Sequence, residues 1–172
     1  MRGDSRTGDG PYVDYVTARL PALQRAAFLL CGGDTHRAND VVQATITRLY
    51  QHWKRVSRSD NVDAYVHRML VHAVVDERRH SWSRVQLGGR PVEVTGADPH
   101  AGVDERGSLV AALRQLPPRQ RAVLVLRFLL DRPIEEVAET LNCSAGTVKS
   151  QSSRGLEALR SMLATIEERG NG

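Results

Sequence analysis

The chain has little of what most often carries catalysis, metal binding or membrane insertion. Cysteine occurs only at Cys31 and Cys143, far apart and without metal-type spacing, so two small buried hydrophobes are expected rather than a zinc site or a disulfide. The histidines His36, His52, His67, His72, His80 and His100 are scattered. His67 and His72 would stand about 140° apart around a helix, poor geometry for sharing a metal. There is no Gly-rich phosphate loop, HExxH or GxSxG, so neither an enzyme nor a cofactor is expected. No apolar run reaches about eighteen residues, and the opening MRGDSRTGDG lacks a signal-peptide core, so no membrane span is expected and a cytoplasmic protein is. Charge is present in both signs but leans basic, at +4 overall, with arginine far outnumbering lysine. That balance favours a polyanionic partner.

The stretch from Pro133 to Arg160, PIEEVAETLNCSAGTVKSQSSRGLEALR, has the spacing of a helix-turn-helix. Ile134, Val137, Ala138 and Leu141 fall three or four apart and line one face of a helix that Pro133 can start. Asn142 stands where the chain must turn, and asparagine tolerates the left-handed conformation. Ser144 suits the N-cap of the next helix, because its hydroxyl can accept a bond from the exposed first-turn amides. That helix is expected to bury Val148, Ser152, Leu156 and Leu159, with the small Ala138 letting Val148 approach closely. Its other face carries Thr147, Lys149, Ser150, Gln151, Ser153 and Arg154 and no acid. Short polar and cationic groups at a helix N-terminus suit a major groove. An ordinary helical hairpin with a solvated polar face would have the same pattern.

From the N-terminus, residues 1–10 are expected to be disordered. Apolar spacing predicts a helix from Pro11, kinked or split at Pro21 and ended by Gly32 and Gly33. Asp34 can cap a second helix to about Trp53, with Val41, Val42, Thr45, Ile46, Leu49, Tyr50 and Trp53 as its buried stripe. Arg55 to Asp60 reads as a loop, after which Asp60 or Asn61 caps a third helix with core residues Val62, Tyr65, Val66, Met69, Leu70, Ala73 and Val74. Its end gathers Arg78, Arg79, His80, Trp82 and Arg84, which suit phosphates and unstacked bases or simply complement a helix C-terminus. Val85 to Gly107 has no helical period and reads as a linker. Its net charge is −2, against +4 for residues 1–84 and +2 for 108–172. It is a solvated tether or an acidic mimic of a nucleic-acid strand. Ser108 opens a second module, broken at Pro117-Pro118 and continued by a helix in which Ala122, Val123, Leu126, Phe128, Leu129 and Leu130 supply most of the core. The last helix is expected to run through Leu163 before the tail frays. The fold class is all-α: two small helical domains, 11–84 and 108–168, joined by a flexible linker, 85–107.

In this order, LPALQRAAFLLCGGD (20–34), ANDVVQATITRLYQHW (38–53), DAYVHRMLVHAVVDERR (63–79), LPPRQRAVLVLRFLLD (116–131) and EEVAETLNCSAGTVKSQSSRGLEALR (135–160) resemble the extracytoplasmic-function (ECF) group of RNA polymerase sigma factors, in particular its actinobacterial sigma-E-like branch. The resemblance implies a non-enzymatic factor that binds the β and β′ subunits of core polymerase and directs promoter-specific transcription initiation. The first domain would bind the core through Asn39, Asp40, Gln43, Thr47 and Arg48. It would also receive melted minus-10 DNA. A flipped base would meet Arg55, Arg58, Ser59, Asp60 and Asn61, with Tyr65, Arg68, His72, Arg78 and Arg79 along the strand path, and a preformed pocket would offset the few kcal/mol of unstacking. The second domain would read minus-35 duplex through Ser144, Thr147, Lys149, Ser150, Gln151, Ser153 and Arg154. An anti-sigma factor is a further partner the family allows, and the free chain is expected to be a monomer whose modules pack together under an anti-sigma factor and part on polymerase.

Departures from the family pattern fall at Asn39 and Ala44, where Glu is common, at Ile46 for Phe, at His72 for Asn, and at Gln151-Ser152-Ser153, where a basic or bulky residue is usual. The competing reading from the helix-turn-helix alone is a transcriptional repressor or response-regulator output protein. Such a protein would dimerise on intact palindromic duplex.

Overall fold

The protein is described by a computed structural model covering residues 9–86 and 105–170, with side chains for 9–76 and 107–170. Most of the linker expected at 85–107 lies outside the described residues, as do residues 1–8 and the side chains of Arg78, Arg79, His80, Trp82 and Arg84. The described residues form seven α-helices and one π-helical turn: α1 (Gly10–Leu30), α2 (Thr35–Val56), α3 (Val62–Gln86), α4 (Glu105–Gln115), α5 (Pro118–Leu124), the π turn (Val125–Leu129), α6 (Ile134–Leu141) and α7 (Ala145–Gly170).

In α1, Pro11 sits in the first turn, where a missing N–H costs nothing. Pro21 stands inside one continuous helix, so of the two expected outcomes, a kink or a split, the split does not occur. Pro21 lies on the exposed side, where water can take the carbonyl that proline leaves unpaired. Termination falls to Gly32 and Gly33, at φ 67° and 84°, a left-handed backbone that glycine adopts without penalty. Their amides turn back onto the carbonyls of Leu29 (3.1 Å) and Phe28 (2.8 Å).

Asp34 caps α2 by accepting from the Arg37 amide at 3.0 Å. The helix runs past Trp53 to Val56, whose side chain is fully buried, so the expected loop begins later than its polar composition suggested. Tyr50, expected in the buried stripe, is 53% exposed. It sits at the edge of that stripe, where its ring packs edge-on against Tyr12 and its hydroxyl donates to Asp9. Asn61 is the residue that caps α3, accepting from the Ala64 amide at 2.9 Å. Val66, Met69, Leu70, Val71 and Val74 are buried along it.

In the second module α4 starts at Glu105, three residues before the expected Ser108. The largest departure follows α5. There the helix widens into the π turn, with the Leu130 amide donating to the Val125 carbonyl at 3.0 Å. The extra residue in that turn rotates everything after it. Phe128 and Leu129, expected in the core, are 56% and 43% exposed, and Leu124 and Val125 are buried instead.

The two modules do not each close on themselves. One continuous apolar cluster takes Leu23, Leu30, Val41, Leu49, Val66, Leu70 and Val74 from the first module together with Val123, Leu126, Val137 and Val148 from the second. A smaller cluster around Ala112, Leu113, Leu116, Leu124 and Leu159 seats α4 and α7, with Leu29 of α1 packed against it.

Candidate nucleic-acid interface

The helix-turn-helix is α6, the turn at Asn142, and α7. Asn142 takes φ 50°, ψ 56°, the left-handed conformation expected of it. Ser144 then caps α7: its Oγ accepts from the Thr147 amide at 3.1 Å and shares a hydrogen bond with Thr147 Oγ1 at 2.9 Å. Val137, Ala138 and Val148 are buried where the helices cross. A second close approach was not anticipated. At Gly155 of α7 a Cβ would fall 3.0 Å from Leu124 Cδ1, so glycine there lets α7 lie directly on α5.

These contacts set which way α7 faces. Ser144, Lys149, Ser150, Ser153 and Arg154 are exposed, with both cations on the outward side and no acid among them. Thr147 and Gln151 are half-buried, and Gln151 Oε1 is shielded from solvent without a hydrogen-bond partner. Ser152 is half-buried in the same way. The helix continues through Leu163 as expected and on to Gly170, into the tail expected to fray.

The second candidate surface is on the first module. Arg55 donates to the Tyr65 hydroxyl and lies 5.8 Å from its ring centroid, so these two act as a pair. Ser59 turns its hydroxyl inward, donating to the Val56 carbonyl at 2.7 Å, and this holds the loop after α2 against the helix. Arg58 and Asp60 are exposed on that loop. Asn61 and Arg68 are engaged from the second module: Asn61 Nδ2 donates to Glu136 Oε1 at 3.0 Å, and Arg68 Nη2 to Glu139 Oε2 at 3.1 Å. His72, one turn beyond Arg68 on α3, is exposed on the wall of a cavity of about 650 Å³ between the modules.

A third surface is the outward face of α2, where Asn39, Asp40, Gln43, Thr47 and Arg48 are all exposed. At about 100° per residue, Asp40, Gln43 and Thr47 fall within roughly 60° of one another, opposite the buried stripe. Arg48 lies on the shoulder and lines the inter-module cavity with Arg37, His72, Arg119 and Arg121.

Below these surfaces Asp63 ties α3 to α1. It accepts from the Tyr15 hydroxyl at 2.7 Å and pairs with Arg19 at 2.9 Å. Burial, followed by the Asp63 carboxylate, pushes the Tyr15 phenol well up from its ordinary value. His67 is held neutral, its pKa lowered to about 4, first by burial and then by the Arg132 guanidinium reaching over from the second module. Among the described residues no group of three or more His, Cys, Asp or Glu could hold a metal ion, and no helix is long and apolar enough to cross a membrane.

Residues 15–84 match the family model Sigma-70 region 2, and residues 106–159 match Sigma-70, region 4. The RNA polymerase sigma-E factor of Streptomyces coelicolor is 34% identical over 88% of this chain and 85% of its own length. The ECF RNA polymerase sigma factor SigL of Mycobacterium tuberculosis is 31% identical over 80% of this chain and 79% of its own. Among solved structures, the sigma factor RpoE in complex with the anti-sigma factor NepR from Bartonella quintana superposes with a TM-score of 0.78, covering 90% of this chain and 97% of that one, at 24% identity. That likeness is one of fold.

Proposed function

Because this chain belongs to the sigma-70 family, as a sigma factor of the ECF group that directs promoter-specific transcription initiation, we propose that its three exposed surfaces divide that task. The exposed half of α7 reads minus-35 duplex, and the acid-free, Ser144-capped face of that helix carries this reading. Lys149 touches base edges, Ser144, Thr147, Ser150, Ser153 and Arg154 hold phosphates and sugar, and the half-buried Gln151 flanks that face. The loop after α2 and the start of α3 receive the melted minus-10 strand. Arg55, Arg58, Ser59, Asp60 and Asn61 form the base pocket, and Tyr65, Arg68, His72, Arg78 and Arg79 lie along the strand. Asp40, Gln43 and Thr47, flanked by Asn39 and Arg48, dock on core polymerase. The working division is then residues 11–84 for polymerase and minus-10 DNA, 85–107 as linker and 108–168 for minus-35 DNA. The factor acts in the cytoplasm, where the polymerase is, and performs no catalysis of its own. An anti-sigma factor, as seen on the Bartonella relative, is a partner this chain also accepts.

The test is transcription in vitro with purified core polymerase on a genomic fragment library, with and without the chain. Promoter-specific transcripts should appear only with it. Arg154→Ala should lower all of them together, and Lys149→Ala should redistribute them among minus-35 variants, since a base contact discriminates by about 1–3 kcal/mol. Asp40→Lys should reduce retention on core without unfolding the chain; equal retention would misplace the docking face. No transcripts, with dimeric binding to intact duplex instead, would replace this reading with that of a repressor.

A further inference from the structure

Four arginines from opposite modules converge on the cavity of about 650 Å³ between them. Arg37 and Arg48 stand about three turns apart on α2, which returns them to nearly the same face and separates them by about 16 Å along the axis. Arg119 and Arg121 come from α5 of the second module. Backbone carbonyls hold these two in position: Arg119 Nη2 donates to the Leu141 carbonyl at 3.1 Å, and Arg121 Nη1 reaches across to the Leu30 carbonyl at 3.2 Å. Arg48 is exposed and makes no hydrogen bond or ion pair among the described residues. Against the four cations the walls carry one carboxylate, Asp76. A cleft walled by low-dielectric protein focuses that imbalance into a positive potential. Gathering like charges opposes the packing unless an anion sits among them.

The rest of the lining narrows the class of anion. Leu30, Val71, Val74 and Ala122 form an apolar wall where α1, α3 and α5 meet, and the exposed Val75 lines the cavity with them. Such a wall suits an organic body, and the volume is within the range of sites that enclose one. Guanidinium planes pair with phosphate oxygens and also stack on flat rings. Asp76 and Asn142, both on the lining, can accept hydrogen bonds from hydroxyl or amino groups. Inorganic phosphate would leave the apolar wall unused. The single head of a fatty acid could not engage cations spread over about 16 Å.

We propose that this cavity is a binding site for a nucleoside polyphosphate, with the phosphates held by arginines of both modules and the base and sugar against the apolar wall beside Asp76. The ligand touches α2 and α3 of the first module and α5 of the second at once. Its phosphates supply the negative charge that the walls lack.

The test is calorimetric titration of the full chain, without DNA or polymerase, with metal-free ATP, GTP, pyrophosphate and adenosine. At least one of the two nucleotides should bind at one site per chain, more tightly than pyrophosphate or adenosine, and more weakly as salt is raised. Arg48→Gln/Arg119→Gln should weaken that binding about tenfold, the scale of two partly screened charged contacts, whereas Lys149→Gln/Arg154→Gln, which removes the same charge from the outward face of α7, should change it by less than about twofold. Val75→Trp fills the cavity without altering charge and should weaken binding as well. Photolabelling of the unaltered chain with 8-azido-ATP locates the site without any substitution, so a variant that folds poorly does not decide the matter. Labelled peptides should come from residues 62–76 and 116–142. Equal losses in the two double variants, or label confined to α7, would mean that nucleotides meet only the general basic surface, and the site would be refuted. Pyrophosphate binding as tightly as either nucleotide would reduce the cavity to a simple anion hole and overturn the nucleoside assignment. Absence of saturable binding by both nucleotides would overturn it outright.

Discussion

His67 should make the folded protein acid-sensitive to an extent that can be calculated. Its Nδ1 is buried without a hydrogen-bond partner. The charged groups acting on it come from three elements: Arg19 of α1, Asp63 of α3 and Arg132 from the segment before α6. Burial and the two guanidiniums disfavour the imidazolium, Asp63 opposes them, and the pKa settles at about 4 instead of 6.5. Between those two values the unfolded chain binds a proton at this site and the folded chain does not. Stability is therefore intact above pH 6.5 and falls with pH down to about 4. By pH 5 the loss from this one group is about 2 kcal/mol. Urea unfolding at pH 7.5 and pH 5.0 should show the unaltered protein losing about 2 kcal/mol more than His67→Gln, which cannot titrate. Parallel pH dependence of the two would refute the buried neutral imidazole. Because Arg132 belongs to the second module, the extra sensitivity should also shrink in Arg132→Gln.

Gly155→Val should cost about 2 kcal/mol in thermal or urea unfolding, because its methyls would be driven into the buried Leu124 side chain. The same variant should lose minus-35 selectivity as α7 is pushed off α5; unchanged stability would mean the helices do not cross there. At the turn of the helix-turn-helix, Asn142→Ala should cost about 1–2 kcal/mol for its left-handed backbone, and Asn142→Gly close to nothing. Equal losses for both would show that the asparagine side chain, not the backbone angle, is what matters. Ser144→Ala should remove about 1 kcal/mol with the cap, measured the same way.

The local features were legible because each depends on residues within a few positions of one another. Asp34 bonds three residues ahead, as do Asn61 and Ser144, and Asn142 turns the chain by its own dihedral angles. The acid-free face of α7 and the polar face of α2 follow from helical period alone. Where the reading failed, a nearby rule was overridden by packing. Pro21 was expected to kink or split α1, and the split does not occur because its exposed side can be solvated while the buried side holds the helix together. Phe128 and Leu129 were counted as core because they are large and apolar in an expected helix, but the segment is π-helical and leaves both exposed. No local pattern signals a single extra residue in a turn.

By itself, then, the order of amino acids determined the helices, their caps, the helix-turn-helix and the family to which the motifs belong, since all of these are written in short-range spacing. Tertiary structure alone decided that the two modules share one core, that Gly155 is a crossing point, and that Glu136 and Glu139 reach Asn61 and Arg68 across separations of 75 and 71 residues. Those contacts depend on how helices dock after they form. Docking is governed by shape and by pairing of charges between surfaces that no periodicity in the chain brings together.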